Sequence, residues 1–404
     1  MTAGVGGSSA KAELEAMESI REGVAPIGVD ERRVRIRKAQ ALMKEQGAAA
    51  LWLDATTSLR YFTGVRSHAS ERLHGAVLPA EGDLAYLCPA FEEAKLRQSL
   101  ILGDDVRTGE EHEDPTALVL ETVASLGCAD GPLALDEATP FFVYDGLRRN
   151  GPGREFVNGK PITAGCRAFK TPAELALMQR AMDICWRVQA ATARILRDGI
   201  TTTEVEQFIN EAHPRLGTDG PPCFAIVLFG EPTAYPHGVD YPQTLAEGDM
   251  VLIDTGATLE GYQSDLTRTY VYGSPSARQR EVWEVEHAAQ AAAFAAARVG
   301  RPCEEVDAAA RRVIEAAGFG PDYAVPGLPH RTGHGIGLDG HEWEYLVRGN
   351  RTPLASGMCF SDEPMICSYG EFGVRLEDCF FMTEDTAQWF TQPSPSIDDP
   401  FGVA

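Results

Sequence analysis

The sequence predicts two domains, a small α/β domain followed by a larger α+β domain. Three observations predict this. A length of 404 residues exceeds that of one average domain. Up to about residue 150, short apolar runs alternate with helix-period stretches, the pattern of a sheet covered by helices. Beyond residue 170, long helical stretches and strand-like runs give way to a Gly-rich region of short strands and loops. Asn150-Gly151-Pro152-Gly153 and Gly159-Lys160-Pro161 read as turns. The domains are therefore expected at 1–164 and 165–404.

Composition narrows the function classes. With 44% hydrophobic and 24% charged residues, the chain can fill sizeable cores. A formal net charge of −23 repels phosphate backbones, so nucleic acid is not expected as a partner. No run of about 18 apolar residues is present, and no membrane span is expected. The N-terminus MTAGVGGSSA has no basic region leading into an apolar one, so no signal peptide is read. Nine cysteines, an odd number without CxxC spacing, read as free thiols in a reducing compartment, and a cytoplasmic protein is expected.

Taken in order, residues 1–10 are small and Gly/Ser-rich and are expected to be disordered. Lys11 to Glu22 is a candidate helix. A clearer one starts at Asp30, with Val34, Ile36, Ala39, Leu42 and Met43 near helical spacing, and stops at Gly47. Ala48–Leu53 is a buried strand, followed by a turn through Leu59–Gly64. Strands at 74–79 and 83–88 flank a Glu81-Gly82 turn. Helices near 90–102 and 114–126 alternate with strands near 105–107 and 132–136. Thr171-Pro172-Ala173-Glu174 opens a long helix: Thr171 caps, Pro172 takes the first helical position and Glu174 completes a capping box. A second helix runs from about Thr202 to Gly217. Strands at 223–229, 249–256 and 266–272 precede helices starting at Ser276 and spanning 303–317. Residues 330–382 are Gly-rich loops and strands, and 391–404 is a tail.

Five polar residues interrupt this scheme. Asp254 ends the apolar run Met250–Ile253, where an unpaired carboxylate would cost several kcal/mol. Asp265, Glu363 and Glu377 lie in the runs SDLTRT, SDEP and VRLED, and His334 lies in HRTGHGIG. Arg375 and Glu377 share a strand face. Four acids and one imidazole meeting in one place need cations. Such a donor set suits Mn²⁺, Co²⁺ or Zn²⁺. Four carboxylates neutralise two divalent ions, which points to a metal pair.

Taken together, IDTG, SDLTRT, HRTGHGIGLDGHE, SDEP and GVRLED resemble the metal-dependent pita-bread peptidases. That family comprises methionine aminopeptidases, Xaa-Pro aminopeptidases and Xaa-Pro dipeptidases (prolidases). The separate N-terminal domain and KTPAELALM at the junction resemble the proline-specific branch. The resemblance implies a creatinase-like N-terminal α/β domain and a pita-bread catalytic domain. It implies two divalent ions per chain, with Mn²⁺ the first expectation and Co²⁺ or Zn²⁺ alternatives, held by Asp254, Asp265, His334, Glu363 and Glu377. Glu363 would also act as acid/base toward the attacking water. His237 and His341 would contact the substrate and the developing tetrahedral centre. His330 would help hold the proline end, Arg375 would orient a ligand carboxylate, and Arg348 would grip a dipeptide's carboxylate.

The implied substrates are Xaa-Pro dipeptides or short proline-containing peptides, and the implied assembly is a homodimer. An Xaa-Pro aminopeptidase and a catalytically silent binding protein are the alternatives. Three positions depart from the family pattern. Met365 follows Pro364 where glycine is usual and would narrow the pocket. Cys223-Phe224 lacks a tyrosine that relatives carry in that neighbourhood, and Gly340 replaces a branched residue. His68, His74, His112, His213 and His287 sit in no motif and read as ordinary packed or surface histidines.

Overall fold

The computed structural model describes residues 1–403. The chain divides into two compact units, Ile27–Arg167 and a second formed by Met1–Pro26 together with the chain from Ala168 onward. The expected boundary at 164/165 falls inside the helix Lys160–Arg167, which closes the first unit. The first 26 residues belong to the second unit, not to the N-terminal domain as expected. Nor are residues 1–10 disordered. Thr2 is buried and its amide donates to Gly273 O at 2.9 Å, while Ala3 N donates to Asp398 O at 2.7 Å. A Gly-rich segment has few side chains to pack, but its backbone donors can still pair with exposed carbonyls.

The Ile27–Arg167 unit is built on a six-stranded mixed sheet. Its spatial order is Val106–Gly109, Ala85–Pro89, Gly75–Pro79, Ala50–Asp54, Leu133–Leu135, Phe156–Asn158. Ala50–Asp54 lies inside the sheet, antiparallel to Gly75–Pro79 and parallel to Leu133–Leu135. It is buried throughout, which is why its sequence is continuously apolar rather than alternating. Helix Val29–Gln46 stops at Gly47, whose φ of 69° is the left-handed cap that glycine adopts without strain. The stretch expected as a turn at Leu59–Gly64 is instead the end of helix Thr57–Thr63. Thr56 caps that helix, and Leu59, Tyr61 and Phe62 are buried. Helices Phe141–Asn150 and Lys160–Arg167 were hidden by the Gly/Pro signals around them.

In the second unit, the Thr171–Glu174 capping box is formed as expected, and helix Pro172–Ile195 follows it. Helix Thr202–Leu216 carries a second box, Thr201 with Glu204. Strands Phe224–Phe229, Met250–Gly256 and Leu266–Val271 form an antiparallel sheet with Met250–Gly256 in the middle. That strand alternates between two cores. Met250 and Leu252 join Trp283, Val306, Phe360 and Phe380 on one side. Val251 and Ile253 join Ile184, Val188 and Tyr270 on the other. Each such side chain contributes about 1.5–3 kcal/mol on burial.

A five-stranded antiparallel sheet completes the unit, in the order Glu342–Leu346, Gly333–Gly335, Cys359–Asp362, Asp378–Met382, Ala387–Trp389. Met365–Ser368 and Phe372–Arg375 form a hairpin. The C-terminal stretch is no free tail, because Ile397 and Phe401 are buried.

Candidate metal centre

The middle strand places Asp254 opposite Thr267 on one neighbour and Ile226 on the other. Asp265 stands immediately before Leu266, where that neighbouring strand begins. Thr267 also bridges to Glu377, whose amide donates to Thr267 O at 3.1 Å. Three acids from separated parts of the chain are thereby registered by one threonine. His334 occupies the short strand Gly333–Gly335, and Glu363 follows Cys359–Asp362, its amide donating to Thr332 O at 2.8 Å.

Asp265, His334 and Glu377 each offer a ligand atom, and these atoms lie within 4.8 Å of one another. His334 Nε2 is 3.7 Å from Asp265 Oδ2 and 3.2 Å from Glu363 Oε1. The His334 Nδ1 lies 3.0 Å from Gly335 O, an acceptor-only carbonyl, so Nδ1 donates and Nε2 faces the acids, carrying a proton toward Glu363 in the metal-free site and freed of it for a cation. Arg375 Nη2 donates to Asp254 Oδ2 at 2.6 Å and its Nε to Thr267 Oγ1 at 3.1 Å. That hydroxyl in turn donates to Glu377 Oε2 at 2.6 Å. Each of these carboxylates keeps a second oxygen, Asp254 Oδ1 and Glu377 Oε1, buried without a hydrogen-bond partner.

Burial and the neighbouring charges set the electrostatics together. Burial first, then mutual repulsion, pushes the carboxyls of Asp265 and Glu377 far above the usual range. Asp254 is also raised by burial, with Arg375 opposing. Burial works in the same direction on Glu363, but the hydrogen bond and charge of His334 override it and hold Glu363 down to about 2. A buried nest of acceptors with orphaned oxygens and acids held above their ordinary range fits divalent cations, which would replace the protons.

These groups line a cleft of about 850 Å³. It brings together nine of the ten candidate residues: Asp254, Asp265, His334, Glu363, Glu377, His237, His330, His341 and Arg375. Arg348, the tenth, is absent from the lining. It pairs with Asp322 and lies over the Tyr323 ring on an exposed surface. The lining of the cleft therefore gives no support to the expectation that Arg348 grips substrate. Met365 does not narrow the cleft either. It is fully buried, its Sδ 3.8 Å from Arg375 Nη1. Cys223 and Gly340 do line the cleft. His330 Nδ1 lies 2.7 Å from Arg331 O, leaving Nε2 buried and unpartnered. His341 is pushed down to about 4 by burial first, then by the charges of His334 and Arg331. Sequence reasoning missed Thr267 and Arg331. Thr267 sits two residues after Asp265, on the same strand face, and that was the available signal. Arg331 had none beyond standing next to His330.

The profile of metallopeptidase family M24 matches residues 176–384, just over half of the chain. The chain belongs to this family. The creatinase/prolidase N-terminal domain matches residues 35–169. An Xaa-Pro dipeptidase from Lactobacillus helveticus is 32% identical over 370 residues, covering 90% of this chain and 98% of that protein. The crystal structure of dipeptidase PepE from Mycobacterium ulcerans superposes with a TM-score of 0.83 at 35% identity, covering 91% and 97%. A prolidase structure from Thermococcus sibiricus superposes with a TM-score of 0.81 at 29% identity, covering 89% and 96%. The family's fold, a creatinase-type N-terminal domain before a pita-bread domain, is the one described above. Among the described residues, no helix is long and apolar enough to cross a membrane.

Proposed function

We propose that this metallopeptidase cleaves the Xaa-Pro bond of dipeptides with two divalent ions per chain. The observation that carries the reading is the convergence of Asp265, His334 and Glu377 within 4.8 Å, with Glu363 against His334 and orphaned oxygens on Asp254 and Glu377. Asp254, Asp265, His334, Glu363 and Glu377 would hold the ions, with Mn²⁺ the working metal and Co²⁺ or Zn²⁺ as substitutes. When bound, the ions supply Lewis-acid polarisation of the scissile carbonyl and make hydroxide available near neutral pH.

The side chains do the rest. Glu363, ionised beside His334, takes the proton of the attacking water and passes it to the leaving proline nitrogen. His341 and His237 face the cleft as polar contacts for the substrate carbonyl and the tetrahedral centre. His330 presents its unpartnered Nε2 toward the proline end. Arg375 holds Asp254 and, through Thr267, Glu377. Proline needs such a dedicated site because its tertiary amide has no N–H, so sites built to read an amide hydrogen fit it poorly.

The names of the relatives support dipeptides as substrates. We also assign a homodimer, and a cytoplasmic setting in which the nine unpaired thiols stay reduced. The test is turnover of an Xaa-Pro dipeptide against an Xaa-Pro-Xaa tripeptide after chelation and Mn²⁺ or Co²⁺ re-addition. Chelation should abolish activity and Mn²⁺ should restore it, with the dipeptide preferred. Preference for the tripeptide would make the protein an aminopeptidase, and activity that survives chelation would remove the metal reading.

A further inference from the structure

Arg331 lines the cleft, yet among the described residues it faces no carboxylate within ion-pair distance. Its guanidinium lies over the Tyr345 ring, 4.0 Å from the centroid, and its Nη2 is 3.0 Å from His341 Nδ1. A guanidinium has five donors and no acceptor. His341 Nδ1 must therefore accept, and the neutral ring carries its proton on Nε2. The His341 ring leans on His334, with centroids 3.8 Å apart. The loop before it is pinned: Glu342 is buried, pairs with Lys170 at 2.8 Å and accepts from Leu338 N at 2.9 Å. Tyr345, the platform under Arg331, is the register partner of His334. One element thus supports the ligand His334 while the residue beside His330 holds His341.

We propose that Arg331 is a positioning residue for hydrolysis, locking His341 as the Nε2–H tautomer so that the ring offers the cleft a hydrogen-bond donor. The inference rests on the peptidase reading above. Its subject is the donor that meets negative charge developing on the substrate carbonyl oxygen, where a prealigned N–H is worth more than one that must reorient. A ring free to rotate would present a lone pair to that oxygen part of the time.

The test compares R331M, R331K, H341Q and the double variant R331M/H341Q on Ala-Pro and Ala-Pro amide, with metal content and circular dichroism as folding controls. R331M should lower kcat by about 10–100-fold with KM little changed, and R331K, which keeps a donor, should recover part of the loss. In the H341Q background, adding R331M should change little. An equal drop in that background, or a KM increase confined to Ala-Pro over its amide, would mean that Arg331 acts on the substrate itself and would overturn the proposal. Imidazole ¹⁵N spectra of the Zn²⁺-loaded protein supply a readout independent of turnover. His341 Nδ1 should carry the shift of a hydrogen-bonded acceptor in the wild type and lose it in R331M; unchanged spectra would also overturn the proposal. Should R331M misfold, R331Q takes its place. If the wild type fails to cleave Ala-Pro at all, the peptidase reading fails on its own and the spectra still decide the lock.

Discussion

Glu363 is pulled in two directions. Its burial favours the protonated acid, and the contact with His334 favours the carboxylate; the second wins and holds the group down to about 2. At neutral pH it is therefore a carboxylate, which in the proposed reaction would be the proton acceptor. Glu363→Gln keeps the shape and removes that capacity. Turnover should fall by about 10²–10⁴-fold while circular dichroism stays as in the wild type. A rate within tenfold of wild type would show that another group transfers the proton. Asp254 was legible because it stands where an apolar residue was due, whereas Glu363 was legible through its place in motifs that resemble the family's. The arginines were not equally legible. Arg348 and Arg331 both lie near the Gly-rich loop, and nothing in their local sequence distinguishes a surface arginine paired with Asp322 from one stacked on Tyr345 beside the cleft. Exposure and partner choice are set by parts of the chain that sequence spacing does not relate.

The elements place these residues by close backbone approach. A Cβ on Gly333 would lie 2.1 Å from Ser361 O, and one on Gly256 would lie 2.0 Å from Ser264 O. Neither contact can be relieved by a side-chain rotation, because the obstacle is backbone. Gly333→Ala should force the strand of His334 away from Cys359–Asp362. Overpacking of this kind costs about 1–3 kcal/mol. Calorimetric metal titration should show weakened binding, and the denaturant midpoint should fall. Unchanged metal affinity would mean that His334 tolerates a shift of its strand. At this scale the helix caps were readable in advance, since a box such as Thr171–Glu174 is a local reciprocal bond. The helix Thr57–Thr63 was not, because tertiary burial of Leu59, Tyr61 and Phe62 outweighs a weak local preference.

For the whole molecule, the buried acids tie stability to cations. Asp265 and Glu377 have native-state values raised by burial, so the metal-free fold keeps protons that the unfolded chain releases. Their favourable contribution is full below the ordinary carboxylate range, about 4, and is lost as pH rises through the raised values. The metal-free chain should therefore lose stability from these groups as pH rises, whereas bound ions replace the protons and remove that loss. The difference in Tm between Mn²⁺-loaded and chelated protein should widen as pH rises above the ordinary carboxylate range, about 4, and metal binding should release protons. At a free metal concentration of 100 times Kd the gain is about 2.7 kcal/mol. Calorimetry in two buffers of different ionisation enthalpy measures the released protons. A Tm gap independent of pH, with no proton release, would contradict the raised values.

The sequence by itself determined the two α/β-containing domains, the capped helices, the apolar strands and the identity of the acids and histidine at the centre. Most of these express local chemistry: periodicity, capping and, for Asp254, a carboxylate where an apolar residue was due; the other four candidates were read from motifs that resemble the family's. Only the tertiary structure decided that residues 1–26 return to the second unit, that Thr267 registers three of the acids, that Arg331 rather than Arg348 borders the cleft, and that Met365 packs behind Arg375. The reason is physical. Each of these outcomes depends on which distant backbone or side chain fills the neighbouring space, and that is fixed by packing and hydrogen-bond satisfaction across the fold, not by neighbours along the chain.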